Sequence, residues 1–260
     1  MILKKLKIFL DFLFQSESAK LLVIEGEAGC GKTSSVLSYL KDNNIQFVYV
    51  NGYTTPYKLF LLVKQNPNKV FVIDDVEDLL KNKTTRSLLK AMTDPMHSEV
   101  RYMSSAVGEE ETVYFFGKVI IILNSISAKL LGNGDVKAIL DRGIHVIVEM
   151  TPEEKFEIVK KILGKKIDTT KQKILYKLLQ LKNLSVRKAI QIAEMLNKSK
   201  SLKEFLMCVR NLCGMNDVDV AILIVSLSNI SVKKQEEIVC KQFGISRATF
   251  YYRKKKLLGR

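Results

Sequence analysis

The sequence lacks any apolar run of the ~18–20 residues that a membrane-crossing helix requires, so no membrane partner is expected. Its hydrophobic opening, MILKKLKIFLDFLF, is interrupted by Asp11 and is followed by no small-residue cleavage site. It therefore reads as an amphipathic first helix packed on the core rather than as a signal peptide. Histidines number two and cysteines four (Cys30, Cys208, Cys213 and Cys240), and no Cys-x-x-Cys pair occurs. That poverty of soft ligands argues against a zinc centre. Cys30 falls inside a glycine-rich loop that a disulfide would disrupt, so a reducing, cytoplasmic compartment is expected. Internal repeats and low-complexity stretches are also missing.

What the 260 residues do contain is 47% hydrophobic residues, enough for a packed core, and a formal net charge of +15. The excess is localised: +1 over residues 1–150, +8 over 151–200, −1 over 201–230 and +7 over 231–260. A neutral first half followed by basic appendages points to a polyanionic partner acting through the second half.

The hydrophobic pattern predicts an α/β fold. Apolar strands at 21–26, 45–50, 70–75, 118–124 and 145–150 alternate with helices, which implies a parallel sheet with helices on both faces. Beyond Thr151-Pro152 only helical periodicity remains, with segments at 152–164, 168–182, 185–197, 201–213, 217–228, 232–243 and 247–257. Three domains are expected: an α/β core over 1–150, a helical lid over 151–200, and a helical C-terminal domain over 201–260. Residues 93–116, between the third and fourth strands, carry no assignment.

The strongest motif is GEAGCGKT. Gly26, Glu27, Ala28, Gly29, Cys30, Gly31, Lys32, Thr33 and Ser34 follow a buried strand and open a helix, the context a phosphate-binding loop requires. Glycines turn backbone N–H groups inward, Lys32 reaches the outer phosphates of ATP, and the Thr33 hydroxyl ligates magnesium. At the end of VFVIDD, Asp74 is expected to hold magnesium, directly or through water. Asp75 is the expected base that orients the attacking water, with Glu77 as a second candidate. Asn124, delivered by IIILN to the same sheet edge, is placed to position that water.

These motifs, with AILDRGIHVIVEMTPEE and LSVRKAIQIAEML after them, resemble the Walker A, Walker B, sensor 1, arginine-finger and sensor 2 series of AAA+ ATPases. The double aspartate and the Asp-Arg pair before the last strand are similar to DnaA-type initiators. VYVNGYTTPYKLF resembles the segment after the second strand in origin-recognition ATPases. The resemblance implies that Arg142 is a finger acting on a neighbouring subunit's ATP and that Arg187 is the sensor in the lid. A plainer reading pairs Arg142 with Asp141 or a helix end and leaves Arg187 as one more basic lid residue. The stretch from Gly52 to Val70 is too short for the extra helix of DnaA-type initiators.

The C-terminal SVKKQEEIVCKQFGISRATFYYRKKKLLGR has apolar residues at helical spacing on both sides of Gly244, the layout of a helix-turn-helix at 232–257. FGISRATFYYRKKKL is similar to Fis-type and resolvase-type modules. Ser246 would cap the second helix, Arg247 and Thr249 would meet base edges, and Arg253 and Lys254, with Lys255 and Lys256, would meet phosphates. Phe250 and Tyr251 are read as core. The ensemble is expected to be an oligomerising ATPase on double-stranded DNA, with replication or helicase proteins as partners. It is similar to the small initiators of viruses, plasmids or other mobile elements. A transposition or helicase-loading ATPase and an ATP-dependent transcriptional regulator are the alternatives. The sigma-contacting loop Gly-Ala-Phe-Thr-Gly-Ala of enhancer-binding ATPases, which also end in a Fis-type module, is not present.

Overall fold

The computed structural model describes the chain apart from residues 1, 53, 76, 104–109, 164–168, 183, 199–201, 229 and 260, and apart from the side chains of 2, 3, 77, 163, 202, 203 and 205–208. It divides into two compact units, Met1–Glu149 and Met150–Arg260. The expected lid and C-terminal domain both fall in the second unit, and the boundary expected between them, at 200/201, lies outside the described residues.

The first unit runs α1 (Ile2–Gln15), β1 (Leu21–Gly26), α2 (Lys32–Asp42), β2 (Phe47–Asn51), α3 (Pro56–Gln65), β3 (Val70–Asp74), α4 (Glu77–Lys81), α5 (Lys83–Met92), β4 (Glu99–Met103), β5 (Glu110–Tyr114), β6 (Val119–Leu123), α6 (Ala128–Leu131), α7 (Gly134–Leu140) and β7 (Ile144–Val148). Five strands form one parallel sheet in the order β2-β3-β6-β1-β7. The three inner strands, LLVIEG, VFVID and VIIIL, are buried almost throughout, as residues covered on both faces by helices must be. The two outer strands are only partly buried. Ile24 of β1 lies opposite Ile122 of β6 and Val146 of β7, and Ile73 of β3 lies opposite Ile121. The carboxyl ends of β1, β6 and β3 therefore stand side by side, where sheets of this kind hold ligands.

Packing of α1 explains the interrupted apolar run. Leu6, Leu10 and Leu13 are fully buried, and Asp11 accepts a hydrogen bond from the Tyr39 hydroxyl of α2 at 2.7 Å. Burial, then that bond, pushes the Tyr39 phenol up to about 12.

The unassigned stretch 93–116 contains an antiparallel hairpin, β4 against β5, in which Val100 faces Val113 and Arg101 faces Thr112. Val100 is buried and Tyr102 packs on the core. Phe115 then sits edge-on to Phe71, their ring centroids 5.5 Å apart. The alternation of EVRYM was the one available signal; EETVY shows none, because Glu111 shares the inner face with Val113 and Tyr114 points outward.

The second unit is helical: α8 (Pro152–Leu163), α9 (Thr169–Lys182), α10 (Val186–Lys198), α11 (Leu202–Cys213), α12 (Asp217–Leu227), α13 (Val232–Phe243) and α14 (Arg247–Leu258). Its first helix opens on a reciprocal cap. The Thr151 hydroxyl accepts from the Glu154 amide at 3.3 Å, and the Glu154 carboxylate accepts from the Thr151 amide at 3.1 Å. Val220, Ala221, Ile222, Leu223 and Val225 of α12 are all buried, because α12 is the central helix, touching α9, α11, α13 and α14. Gly244, at φ 63, ends α13 in the left-handed conformation that lets α14 turn away. Among the described residues no helix is long and apolar enough to cross a membrane.

Candidate functional site

Between β1 and α2 the chain makes the loop Gly26–Gly31. Gly29 and Gly31 have φ of 78 and 93, values that side chains rarely adopt. Gly31 is the N-cap of α2 and lends no side-chain acceptor, which leaves the first N–H groups of the helix to an anion. Gly26 is fixed by packing: a Cβ there would sit 2.5 Å from the Val148 carbonyl oxygen of β7.

Two short hydrogen-bonded chains converge on this loop. In the first, the buried Lys32 ammonium donates to the carbonyls of Gly26 (2.6 Å) and Glu27 (2.8 Å) and to Asn124 Oδ1 (3.4 Å), with Cys30 Sγ 3.8 Å away. Asn124 Nδ2 in turn donates to Asp75 Oδ1 at 3.0 Å. In the second, Thr33 Oγ1 donates to Asp74 Oδ2 at 2.9 Å. The structure thus brings Lys32, Thr33, Asp74, Asp75 and Asn124 to one sheet edge, while Ala28 and Ser34 flank them in the loop and first turn. Ser34 is turned back to the Gly31 carbonyl at 3.0 Å. Glu77's side chain lies outside the described residues.

The donor set suits magnesium. A hydroxyl and a carboxylate are hard oxygen ligands, and the rest of a magnesium shell is ordinarily water and phosphate oxygen. Asp75 has φ 54, unusual for a residue with a side chain, and its N–H is tied to the Ile122 carbonyl at 3.1 Å. Strain of this kind gathers at working sites.

Sequence reasoning missed three residues around this edge. Tyr49 of β2 donates its hydroxyl to Asp74 Oδ2 at 2.8 Å. Burial, then that bond, pushes its phenol up to about 12, so it stays a donor at neutral pH. Glu25 accepts from the Ile126 amide at 3.1 Å and meets His145 Nε2 at 3.0 Å, which braces the loop after Asn124 against β1 and β7. A carboxylate inside LLVIEG was the visible signal for Glu25.

Arg142 follows α7. Its guanidinium donates to the Lys90 carbonyl at the end of α5 and lies 3.5 Å from Asp94. Within this chain it is therefore paired with a helix end and an acid, though the acid is Asp94 rather than Asp141. Backbone hydrogen bonds from Met96 and His97, with Arg142 nearby, hold the Asp94 carboxyl below its usual range. Arg187 stands exposed in the first turn of α10.

In α14 the five expected DNA contacts are not equivalent. Ser246 caps the helix, accepting from the Thr249 amide at 3.1 Å, and the two hydroxyls are 2.9 Å apart. Arg253 donates to Asn216 and Asp219 of the α12 start, both at 3.1 Å. Lys254 donates to Gln235 of α13 at 2.8 Å and lies over the Phe250 ring, and burial lowers its pKa. Arg247 is largely exposed but ion-paired with Glu236, which is buried. Phe250 is fully buried, as expected, while Tyr251 is 46% exposed with its hydroxyl on Glu236 and Tyr252 is 69% exposed. The helical period explains this: with Phe250 inward, Ala248, Tyr252 and Lys255 line the opposite face, and Tyr251 lies at the flank, where its hydroxyl reaches Glu236.

No protein-family model matches the sequence, and no curated protein matches it. Solved structures do match. RuvB from Thermotoga maritima, described as a Holliday junction branch migration motor, is 15% identical with a TM-score of 0.54, over 95% of this chain and 82% of that one. Cdc6p from Pyrobaculum aerophilum is 16% identical with a TM-score of 0.58, over 98% and 84%. Domain III of the Thermotoga maritima replication initiation protein DnaA is 16% identical with a TM-score of 0.50, over 82% and 92%. At such identities the likeness is one of fold: a parallel α/β sheet flanked by helices and followed by a helical unit.

Proposed function

We propose that the chain is an AAA+ ATPase that binds ATP with magnesium in the loop Gly26–Ser34, hydrolyses it slowly, and works as an oligomer on double-stranded DNA, in the manner of a replication initiator. The observation that carries this reading is the pair of hydrogen-bonded chains Lys32–Asn124–Asp75 and Thr33–Asp74–Tyr49 at the end of the inner strands. Lys32 supplies charge to the outer phosphates. Thr33 and Asp74 hold the magnesium, which neutralises phosphate charge when bound. Asn124 fixes Asp75, whose carboxylate orients the attacking water and takes its proton.

Arg142 serves as a finger for a neighbouring subunit by exchanging Asp94 and the Lys90 carbonyl for a phosphate, which makes hydrolysis depend on assembly. Arg187 is the lid's sensor. The second unit carries the DNA contact. Of the similar structures, one is described as a branch migration motor and another as a replication initiation protein.

Nucleotide binding and turnover test the reading together. Lys32→Ala should lose ATP affinity. Asp75→Asn should keep it while hydrolysis falls about 10²-fold or more, and mixing Asp75→Asn with Arg142→Ala should restore activity at interfaces that pair an intact base with an intact finger. Full hydrolysis by Asp75→Asn, or undiminished ATP affinity in Lys32→Ala, would refute the site. Absent rescue across assembled concentrations would remove the finger alone. Footprinting on the source genome separates an origin site from a promoter or an element end.

A further inference from the structure

We propose that Tyr49 is a positioning residue for the metal side of the nucleotide site, its hydroxyl fixing the Asp74 carboxylate so that one oxygen is presented to magnesium. The inference rests on the ATP–magnesium reading above and adds to it the partly exposed strand β2, on which no nucleotide-site residue was expected. In the β2–β3 register Asn51 lies opposite Asp74 and Tyr49 opposite Val72, so Tyr49 shares a face with Asn51 and its long side chain reaches forward to the acid. Its hydroxyl is 2.8 Å from Asp74 Oδ2, and Thr33 Oγ1, coming from α2, is 2.9 Å from the same oxygen. Two hydroxyls from two elements on one oxygen prevent the carboxylate from turning and leave Oδ1 as the ligand. Thr33 divides its hydroxyl between the acid and the metal, whereas Tyr49 is committed to the acid. Groups that orient a metal ligand in this way set metal affinity although they never touch the ion.

The alternative role, a tyrosine that merely covers the sheet with its ring, is retained by phenylalanine, and this separates the two. Binding of a fluorescent ATP analogue would be titrated with magnesium chloride for the intact chain, Tyr49→Phe, Asp74→Asn and the double variant, with manganese binding followed in parallel by electron paramagnetic resonance. In Tyr49→Phe the magnesium midpoint should rise about tenfold, the low end for loss of a ligand-orienting group, with metal-free nucleotide affinity unchanged. In the Asp74→Asn background the same substitution should add nothing, because the tyrosine acts through that carboxylate. A Tyr49→Phe titration superimposed on that of the parent chain overturns the proposal, and so does an equal shift in both backgrounds or a matching loss of metal-free affinity. If the parent chain binds nucleotide with no response to magnesium, the ATP–magnesium reading itself fails, and that result is visible before any variant is compared.

Discussion

Asp75 shows what a single backbone angle implies for a residue that carries chemistry. At φ 54 it occupies the left-handed region, which costs an ordinary side chain ~1–2 kcal/mol and glycine almost nothing. Asp75→Gly should therefore be more stable than Asp75→Ala by about 1 kcal/mol, read as separate urea midpoints, while both lose hydrolysis. Equal midpoints would mean that the surrounding loop, and not the residue, sets the angle. Lys32, Thr33, Asp74, Asp75 and Asn124 were legible in the sequence because each ends or follows a run of buried strand. Tyr49 was not, since an aromatic on an outer strand is indistinguishable from sheet packing until the register places its hydroxyl on Asp74. The roles of Arg253 and Lys254 were illegible for a related reason. A run of cations names its composition, and only the helix phase separates those on Asn216, Asp219 and Gln235 from those in solvent.

At the scale of elements, α5 and α7 are joined by charge as well as by apolar packing. Asp135, in the first turn of α7, receives Lys90 at 2.8 Å and Arg86 at 3.3 Å. These bonds, Lys90 first and Arg86 second, hold its carboxyl below the usual carboxylate range. A depressed pKa contributes stability above the ordinary carboxylate pKa of ~3.9 and loses it as pH falls through the depressed value. Denaturation midpoints should accordingly fall between about pH 4 and the acid limit. Asp135→Asn should flatten part of that limb while lowering stability at pH 7, where Arg86, buried against the Leu80 and Lys81 carbonyls, keeps its charge without its partner. An unchanged acid limb would show that other carboxylates control it. The strands and long helices were readable from their periods, whereas β4 and β5 were hidden by charged outward residues, Glu99, Arg101 and Glu110, which mimic a loop.

For the whole molecule, the excess charge of +15 and the helix phase of α14 together define how DNA binding should be tested. Deleting residues 231–260 would strip α13 and α14 from the buried α12, so lost binding could reflect unfolding. Surface substitutions avoid that ambiguity. Arg247→Ala, which removes a largely exposed guanidinium, should cost about 1–3 kcal/mol at one base position and relax preference there. Lys255→Ala should weaken all sequences alike and reduce the salt slope by about 1. Arg253→Ala should instead lower the melting temperature, because Asn216 and Asp219 lose their cation, and at low temperature DNA affinity should persist. Arg253→Ala that abolishes binding while leaving stability intact would reverse the assignment and put the arginine on phosphate.

The outer position of β2 has a consequence for how the first unit opens. Its only strand partner among the described residues is β3, whereas β1 is bonded on both sides, to β6 and β7. Amide protons of β2 should exchange with solvent by local fraying, long before those of β1 exchange by global unfolding. Tyr49 couples that fraying strand to Asp74, so a ligand that draws on Asp74 also has to hold β2 closed. Deuterium uptake over Phe47–Asn51 should therefore slow when magnesium and nucleotide are added together, with little change in β1. In Tyr49→Phe the strand should continue to exchange as it does without ligand.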